Sequence, residues 1–405
     1  MNENGSSKVK RVGSTAERLA TKPYAQRMCR TECYPGCVKP SPTYEGMSVE
    51  EWVDFIDDLG LEVQIVDGEL TRGTPRFHSE MIEPHKDVDS ERLPRFLELA
   101  HERGIIILSY YPAIYTRPLK PIHPEWLMQF LDDGRAPIEN DGWFCINSPY
   151  RDWVSDYMIE WLDNLDLDGL YFDDTNYGSH QDGTPWFPSC CCEYCEKLFR
   201  DDTGEDIPRK VNFENAAFRR FVSWRYGKLI EFMHHMARRI KEKHPDVILD
   251  FNSYVTSTTN WTFGHPLASF RLQEVDAVYF TETFRSLREV GLVSKIMRST
   301  GTPYGHFRLT DEQLRGFGQA PFPSGNATAT AGLATMINGG APCGGPFGEP
   351  SLINREANKR VFSEYKQRDE YVAGETIKYL ALHFSQMNRD FRPSERAKNT
   401  GQAHG

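Results

Sequence analysis

Residues 165–199 read LDLDGLYFDDTNYGSHQDGTPWFPSCCCEYCEKLF. The run Leu170, Tyr171, Phe172 is short and wholly apolar, and it stops at two carboxylates, Asp173 and Asp174. An uninterrupted apolar run of strand length fits a strand buried on both faces, the habit of parallel sheets. Acids at the carboxyl end of such a strand lie where a parallel barrel builds its site. A polar loop with Gly and Pro follows. Then Cys190, Cys191, Cys192 and Cys195 open the polar and apolar pattern of a helix, at the spacing of metal ligands.

Outward from this stretch, apolar strands alternate with amphipathic helices. Strands are expected at 26–30, 61–66, 105–111, 169–172, 247–251, 275–280 and 304–307, with the Gly-rich segment 339–345 as an eighth. Helices are expected at 50–58, 91–103, 151–165, 213–243, 327–337 and 354–371. No G-x-G-x-x-G follows the first strand, which removes support from a dinucleotide-binding sheet. The fold class expected is α/β, a (β/α)8 TIM barrel with extended βα loops and a short C-terminal β extension. Residues 1–20 are expected to be disordered and 21–375 to form the barrel. Residues 376–390 should begin a C-terminal β segment, and 391–405 should be a disordered tail.

The chain has 405 residues and a net charge of −11, with no basic stripe, so nucleic acid is excluded as a partner. No apolar run reaches the ~18–20 residues of a membrane span. The N-terminus lacks the apolar core of a signal peptide. Four of the nine cysteines crowd into positions 190–195, which reads as reduced thiols holding a metal and not as a disulfide framework. The expectation is a cytoplasmic protein. Cys29, Cys33 and Cys37 read as structural or incidental.

The strand ends carry the candidate chemistry. Asp67 follows the second strand, with His78, Glu80, Glu83 and His85 in the loop beyond. Tyr110 and Tyr111 end the third strand, and Asp173, Asp174, Asn176 and Tyr177 the fourth. Asn252 and Tyr254 end the fifth, Glu282 the sixth, and His306 and Arg308 the seventh. Glycoside hydrolysis needs two carboxyl groups flanking the scissile bond, about 5–5.5 Å apart for retention or about 6.5–9.5 Å for inversion. Asp173, closing the pattern D-G-x-x-x-D, is the expected nucleophile, and Glu282 the expected acid/base. Asp174, on the other side of the pleat, would orient neighbours or cap the turn. His78, His85, Tyr110, Tyr111, Asn176, Asn252, Tyr254, His306 and Arg308 are candidates for sugar hydroxyls, and Trp186 and Trp261 for stacking. Cys190, Cys192 and Cys195 need a fourth thiolate to close a tetrahedral zinc site, and Cys145 is the best donor. Such a closed site is structural. Cys191 is then the spare.

The pair C-x-N-S-P-Y-R at 145–151 and C-x-C-x2-C-E-K-L-F at 190–199 resembles the glycoside hydrolase family 42 β-galactosidases. The resemblance implies a TIM barrel with a structural zinc, for which Cys145, Cys190, Cys192 and Cys195 match the ligands. It also implies a homo-oligomer, a trimer. The family places its acid/base in an Asn-Glu pair ending strand four and its nucleophile, a Glu, at the end of strand seven. This chain has Asp173-Asp174-Thr175-Asn176 and His306-Phe307-Arg308 there, so β-galactosidase activity does not carry over. The pattern is closer to hypothetical glycosyl hydrolases that resemble family 42 and the α-L-fucosidases, in which a strand-four Asp is the nucleophile. That resemblance implies a retaining enzyme acting on an α-linked terminal sugar, fucosidase- or galactosidase-like, with a small oligosaccharide or glycoside as substrate. In many relatives a trimerisation-like domain follows the barrel, and this chain stops near its beginning, at Phe384–Phe391. Three alternatives stand beside this reading: a carbohydrate-binding barrel without catalysis, a β-galactosidase-like hydrolase, and a metal-dependent hydrolase using the His and Asp residues after strands two, four and seven.

Overall fold

The computed structural model describes residues 12–24, 27, 30–32, 48–67, 73–75, 77–84, 89–130, 140, 142–177, 189–210, 212, 214–253, 271, 274–283, 287–308, 325–343, 359–360 and 362–371. Eight parallel strands form a closed barrel in chain order. They are β1 (Arg30–Glu32), β2 (Val63–Asp67), β3 (Ile106–Pro112), β4 (Gly169–Asp173), β5 (Ile248–Asn252), β6 (Val278–Thr283), β7 (Tyr304–Arg308) and β8 (Ala341–Cys343). The ring closes between β8 and β1 through one register pair, Cys343 with Arg30. Helices α1 (Thr15–Thr21), α2 (Val49–Asp58), α3 (Arg92–Glu102), α4 (Tyr150–Asn164), α5 (Glu193–Thr203), α6 (Ala216–Lys243), α7 (Leu287–Ser299) and α8 (Gly325–Met336) accompany them.

Strand alternation divides the apolar residues into two cores. Val63, Ile65, Ile106, Leu108, Tyr171, Ile248 and Phe280 fill the lumen, joined by Tyr24 from the N-terminal segment. Ile107, Tyr111, Leu170, Phe172, Leu249, Phe251 and Tyr279 face outward and pack under the helices. Each outward residue thus sits one position from an inward one, so the strands read as unbroken apolar runs. Gly169 lets β4 and β5 approach at their start, since a Cβ there would lie 2.3 Å from the Ile248 carbonyl oxygen. The α4 and α6 helices pack together, and Asp152 on α4 pairs with His235 and Arg239 on α6.

Three expectations are corrected. The sixth strand runs over 278–283, not 275–280. Val275 is buried just ahead of it, and Asp276 turns outward to Lys241 at 2.9 Å. Glu282 therefore lies within the strand and not beyond it. The first strand lies at 30–32. The third correction is that residues 15–20, expected to be disordered, lie in α1, which a capping box between Ser14 and Glu17 starts.

Helix α1 closes the amino-terminal end of the barrel. Arg18 Nε donates to Asp168 Oδ1 at 2.7 Å. His101 sits between Asp166 (3.2 Å) and Asp168 (3.0 Å). The Ile107 N–H donates to Asp168 Oδ2 at 2.9 Å. All four side chains are buried. Burial works against a charged His101, but its hydrogen bonds to Asp166 and Asp168 prevail and raise its pKa. Burial likewise opposes ionisation of Asp166, and the His101 hydrogen bond outweighs it and lowers the pKa. Residues 1–11, the expected β segment at 376–390 and the tail at 391–405 lie outside the described residues. No described helix is long and apolar enough to cross a membrane.

Candidate active site and cysteine centre

The carboxyl ends of β3, β4 and β5 bring three predicted residues together. Asp173 is half-buried. Its Oδ2 accepts from the Tyr110 hydroxyl at 3.1 Å. Its Oδ1 accepts from Asn252 Nδ2 at 2.9 Å and from the Asp174 N–H at 2.8 Å. Its own carbonyl holds the Ala113 N–H at 2.9 Å. Three donors from three directions fix the carboxylate in one orientation, as a reacting group requires. Tyr110 and Asn252, singled out as separate sugar contacts, are partners of Asp173. The alternation that puts Tyr110 on the lumen side with Leu108 is the sequence signal for this.

Asp174 is the one non-glycine residue with positive φ among those described, at 52°. It is buried. Its carbonyl accepts from the Asn176 N–H at 2.8 Å, and its carboxylate meets Asn176 Nδ2 at 3.4 Å. It bends the chain sharply behind Asp173. Asn176 and Tyr177 follow into the interior, where the Tyr177 hydroxyl donates to the Arg225 carbonyl at 3.3 Å.

Other predicted residues do not join this group. Tyr111 is wholly buried on the helix side. Its hydroxyl meets Thr116 Oγ1 at 2.5 Å, and its ring packs edge-on against Trp161 at 5.5 Å. His306 also faces the helices, with Nδ1 near Ser294 Oγ (3.1 Å) and Thr335 Oγ1 (3.2 Å). Burial pushes its pKa down to about 3, so it is neutral at ordinary pH. His78, Glu80 and Glu83 are exposed. Of Asp67, Glu282 and Arg308 only the backbone is described; Glu282 stands opposite Phe307 in the β6 and β7 register. His85, Tyr254, Trp186, Trp261, Cys29, Cys33 and Cys37 lie outside the described residues. Sequence reading passed over Asp250, a buried lumen carboxylate that accepts from the Tyr24 hydroxyl at 3.1 Å.

The four cysteines come together as spacing predicted. The sulfurs of Cys145, Cys190, Cys192 and Cys195 all lie within 4.8 Å of one another, and all four residues are buried. Four thiolates around one zinc at about 2.3 Å stand about 3.8 Å apart, so the set fits a tetrahedral ion. Asn147 donates to two of the sulfurs, from its N–H to Cys145 Sγ at 3.4 Å and from Nδ2 to Cys195 Sγ at 3.3 Å. Without a cation such a group cannot be fully ionised. Burial pushes the Cys190 thiol up, hydrogen bonding to Cys145 raises Cys195, and hydrogen bonds led by Cys145 lower Cys192. Cys191 turns away, its sulfur directed at the Gln129 carbonyl at 3.2 Å, and burial raises it to about 11.

The centre joins three segments of chain. Phe130 bridges Cys190, the Cys191 N–H donates to Gln129 O at 2.7 Å, and the Cys145 N–H to Trp126 O at 2.9 Å. A hollow of about 850 Å³ beside it is lined by Lys120, Gln129, Asn140 and Arg209 among others, and by none of the candidate catalytic residues. Among the described residues the cysteines are the one gathering of three or more His, Cys, Asp or Glu side chains able to hold an ion.

Solved structures of several glycoside hydrolases share this closed barrel of parallel strands. A catalytic mutant of Gan42B, a GH42 β-galactosidase from G. stearothermophilus, superposes with a TM-score of 0.66 at 14% identity, over 93% of this chain and 62% of that one. The α-L-fucosidase isoenzyme 2 from Paenibacillus thiaminolyticus gives 0.61 at 16% identity, over 86% and 50%. The glycoside hydrolase domain of PgaB (BpsB) from Bordetella bronchiseptica gives 0.59 at 10% identity, over 86% and 100%. At these identities the likeness establishes the fold. The chain spans half the length of the fucosidase and 62% of Gan42B. No protein-family model matches the sequence, and no curated protein does.

Proposed function

We propose that this barrel is a retaining glycosidase acting on an α-linked terminal sugar, with Asp173 as nucleophile and Glu282 as acid/base. The observation that carries the reading is the Asp173 carboxylate, held by Tyr110, Asn252 and the Asp174 N–H at the carboxyl end of β4. A nucleophile must meet the anomeric carbon along one line, and three donors set that line. Glu282 stands two positions beyond Phe280, which packs in the lumen, on the strand next but one to β4. In the first step Asp173 attacks the anomeric carbon while Glu282 protonates the departing oxygen. In the second, Glu282 takes a proton from a water whose oxygen attacks the anomeric carbon, and the bond from that carbon to Asp173 breaks, which releases the sugar and restores the carboxylate. Glycoside hydrolases of this fold, a fucosidase among them, support the class.

The cysteine centre would hold a structural zinc through Cys145, Cys190, Cys192 and Cys195. When bound, the ion supplies a cross-link and offers no open coordination position.

The test is a panel of aryl α- and β-glycosides. The expected result is turnover of one or more α-glycosides, lost in Asp173→Asn and lowered about 10²–10⁴-fold in Glu282→Gln. A 2-fluoro sugar should leave a covalent adduct on the peptide that contains Asp173. Silence across the whole panel would sink the glycosidase reading, and an adduct on another residue would sink the assignment of Asp173.

A further inference from the structure

The turn that carries Cys145 reads Cys145-Ile146-Asn147-Ser148-Pro149-Tyr150 and leads straight into α4. It is closed locally. The Cys145 carbonyl accepts from the Ser148 N–H at 3.1 Å and from Ser148 Oγ at 2.8 Å. Ser148 Oγ in turn accepts from the Tyr150 N–H at 3.3 Å. This closure sets Asn147 at the corner of the turn, half-buried. Its N–H donates to Cys145 Sγ at 3.4 Å, and its Nδ2 donates to Cys195 Sγ at 3.3 Å, 48 positions away on α5. The two sulfurs are themselves 3.4 Å apart. One residue thus serves two sulfurs from different segments of chain. A divalent ion with four thiolates carries two net negative charges into a buried place, where N–H donors aimed at sulfur lower the cost. An amide oxygen in place of Nδ2 would face a thiolate with like partial charge, so the sulfur sets the orientation of the amide.

We infer that Asn147 is the hydrogen-bonding clamp of the cysteine centre. It joins the Cys145 turn to α5 and tempers the charge on the Cys145 and Cys195 sulfurs. Both bonds join protein to protein, so the clamp lines up the first and last cysteines ahead of the metal, and a site lined up in advance binds more tightly. The inference rests on the reading of Cys145, Cys190, Cys192 and Cys195 as a metal centre, and not on that of Asp173 as nucleophile.

The test uses the full chain, reduced, and loaded with Zn²⁺ or with Co²⁺ as a coloured substitute. Wild type is compared with Asn147→Ala, which removes the side-chain donor, and Asn147→Asp, which replaces it with an anion of the same shape. A competing chromophoric chelator reads metal retention. The Ala variant should hold zinc about 10–100-fold more weakly than wild type, and the Asp variant more weakly still. The Co²⁺ forms read the sulfur electrons directly. An N–H···S bond lowers the energy of the sulfur lone pairs, so its loss should move the thiolate-to-cobalt charge-transfer band to longer wavelength. A side chain that only packs the turn would weaken retention without moving that band. Should the Ala variant fail to accumulate, the Asp variant is read in the same way. Unchanged retention, or weaker retention with an unmoved band, overturns the role of Asn147 while leaving the metal centre intact. Reduced wild-type protein that takes up neither ion overturns the metal centre itself, and Asn147 with it.

Discussion

Asp174 is a residue whose backbone bears directly on the role it can take. Two adjacent acids at a strand end invite assignment of a role to both, yet the backbone at Asp174 has φ 52°. Left-handed geometry costs a residue with a Cβ about 1–2 kcal/mol, and Asp and Asn tolerate it best because their short side chains bond locally. That points to Asp174 as the turn that presents Asp173. Asp174→Asn should therefore keep both fold and turnover, while Asp174→Ala should lose stability of about 1 kcal/mol. Aryl-glycoside rates and denaturant midpoints read the two effects; a silent Asp174→Asn enzyme of full stability would make Asp174 the reacting acid instead. With Asp173 as the proposed nucleophile, Tyr110 and Asn252 would act one step out from the chemistry. Tyr110→Phe and Asn252→Ala each remove one donor to Asp173. Each should lower kcat by roughly 10-fold or more with little change in KM, because misorientation of a reacting group is felt in the transition state. A rise in KM at constant kcat would instead make them sugar contacts.

At the scale of the element, α1 is where sequence reading failed and the reason is physical. Its seven residues, TAERLAT, are too few to hold a helix in isolation. What holds it is Arg18 reaching Asp168 across 150 positions of sequence, a contact no local pattern announces. The same contact explains the first Asp of D-G-x-x-x-D, which reads as part of a catalytic motif but lies at the opposite end of β4 from Asp173. The strands were legible because alternate residues are apolar on both faces. β6 was misplaced because the buried Val275 extends its apolar run ahead of the ladder. The base cluster also gives stability a pH dependence. His101 has a raised pKa in the folded protein, so its contribution is fully present below the unfolded value near 6.5 and is lost as pH rises through the folded one. Asp166 has a lowered pKa, so its contribution is present above the ordinary aspartate range and is lost as pH falls through the folded value. Unfolding free energy should thus be highest between these limits, and His101→Gln should remove the loss on the alkaline side. An unchanged alkaline limb in that variant would exclude His101 as its source. Arg18→Met, which leaves buried carboxylates short of a cation, should cost about 3–5 kcal/mol.

At the scale of the whole molecule, the barrel and the cysteine centre are two separate devices. The barrel is held by strand ladders and by its lumen and outer cores. The cysteine centre holds the loop ahead of Cys145, the approach to α4 and the start of α5, all outside the strands. A bound ion stabilises only what it cross-links, by an amount that grows with the ratio of free ion to its dissociation constant, about 4 kcal/mol at a thousand-fold excess. Metal removal should therefore act locally. Hydrogen exchange after chelation should quicken at 126–130, 143–149 and 190–199, while β2 to β5 keep their protection. Cys145→Ser should show the same pattern with no further response to chelator. Quickening that spreads equally through the β2 to β5 ladder would mean that the centre and the barrel unfold as one unit. The carboxylate of Asp173 would then depend on the metal for its position, although no cysteine touches it, because the turn at Asp174 and the buried Tyr177 are the chain's route from one device to the other.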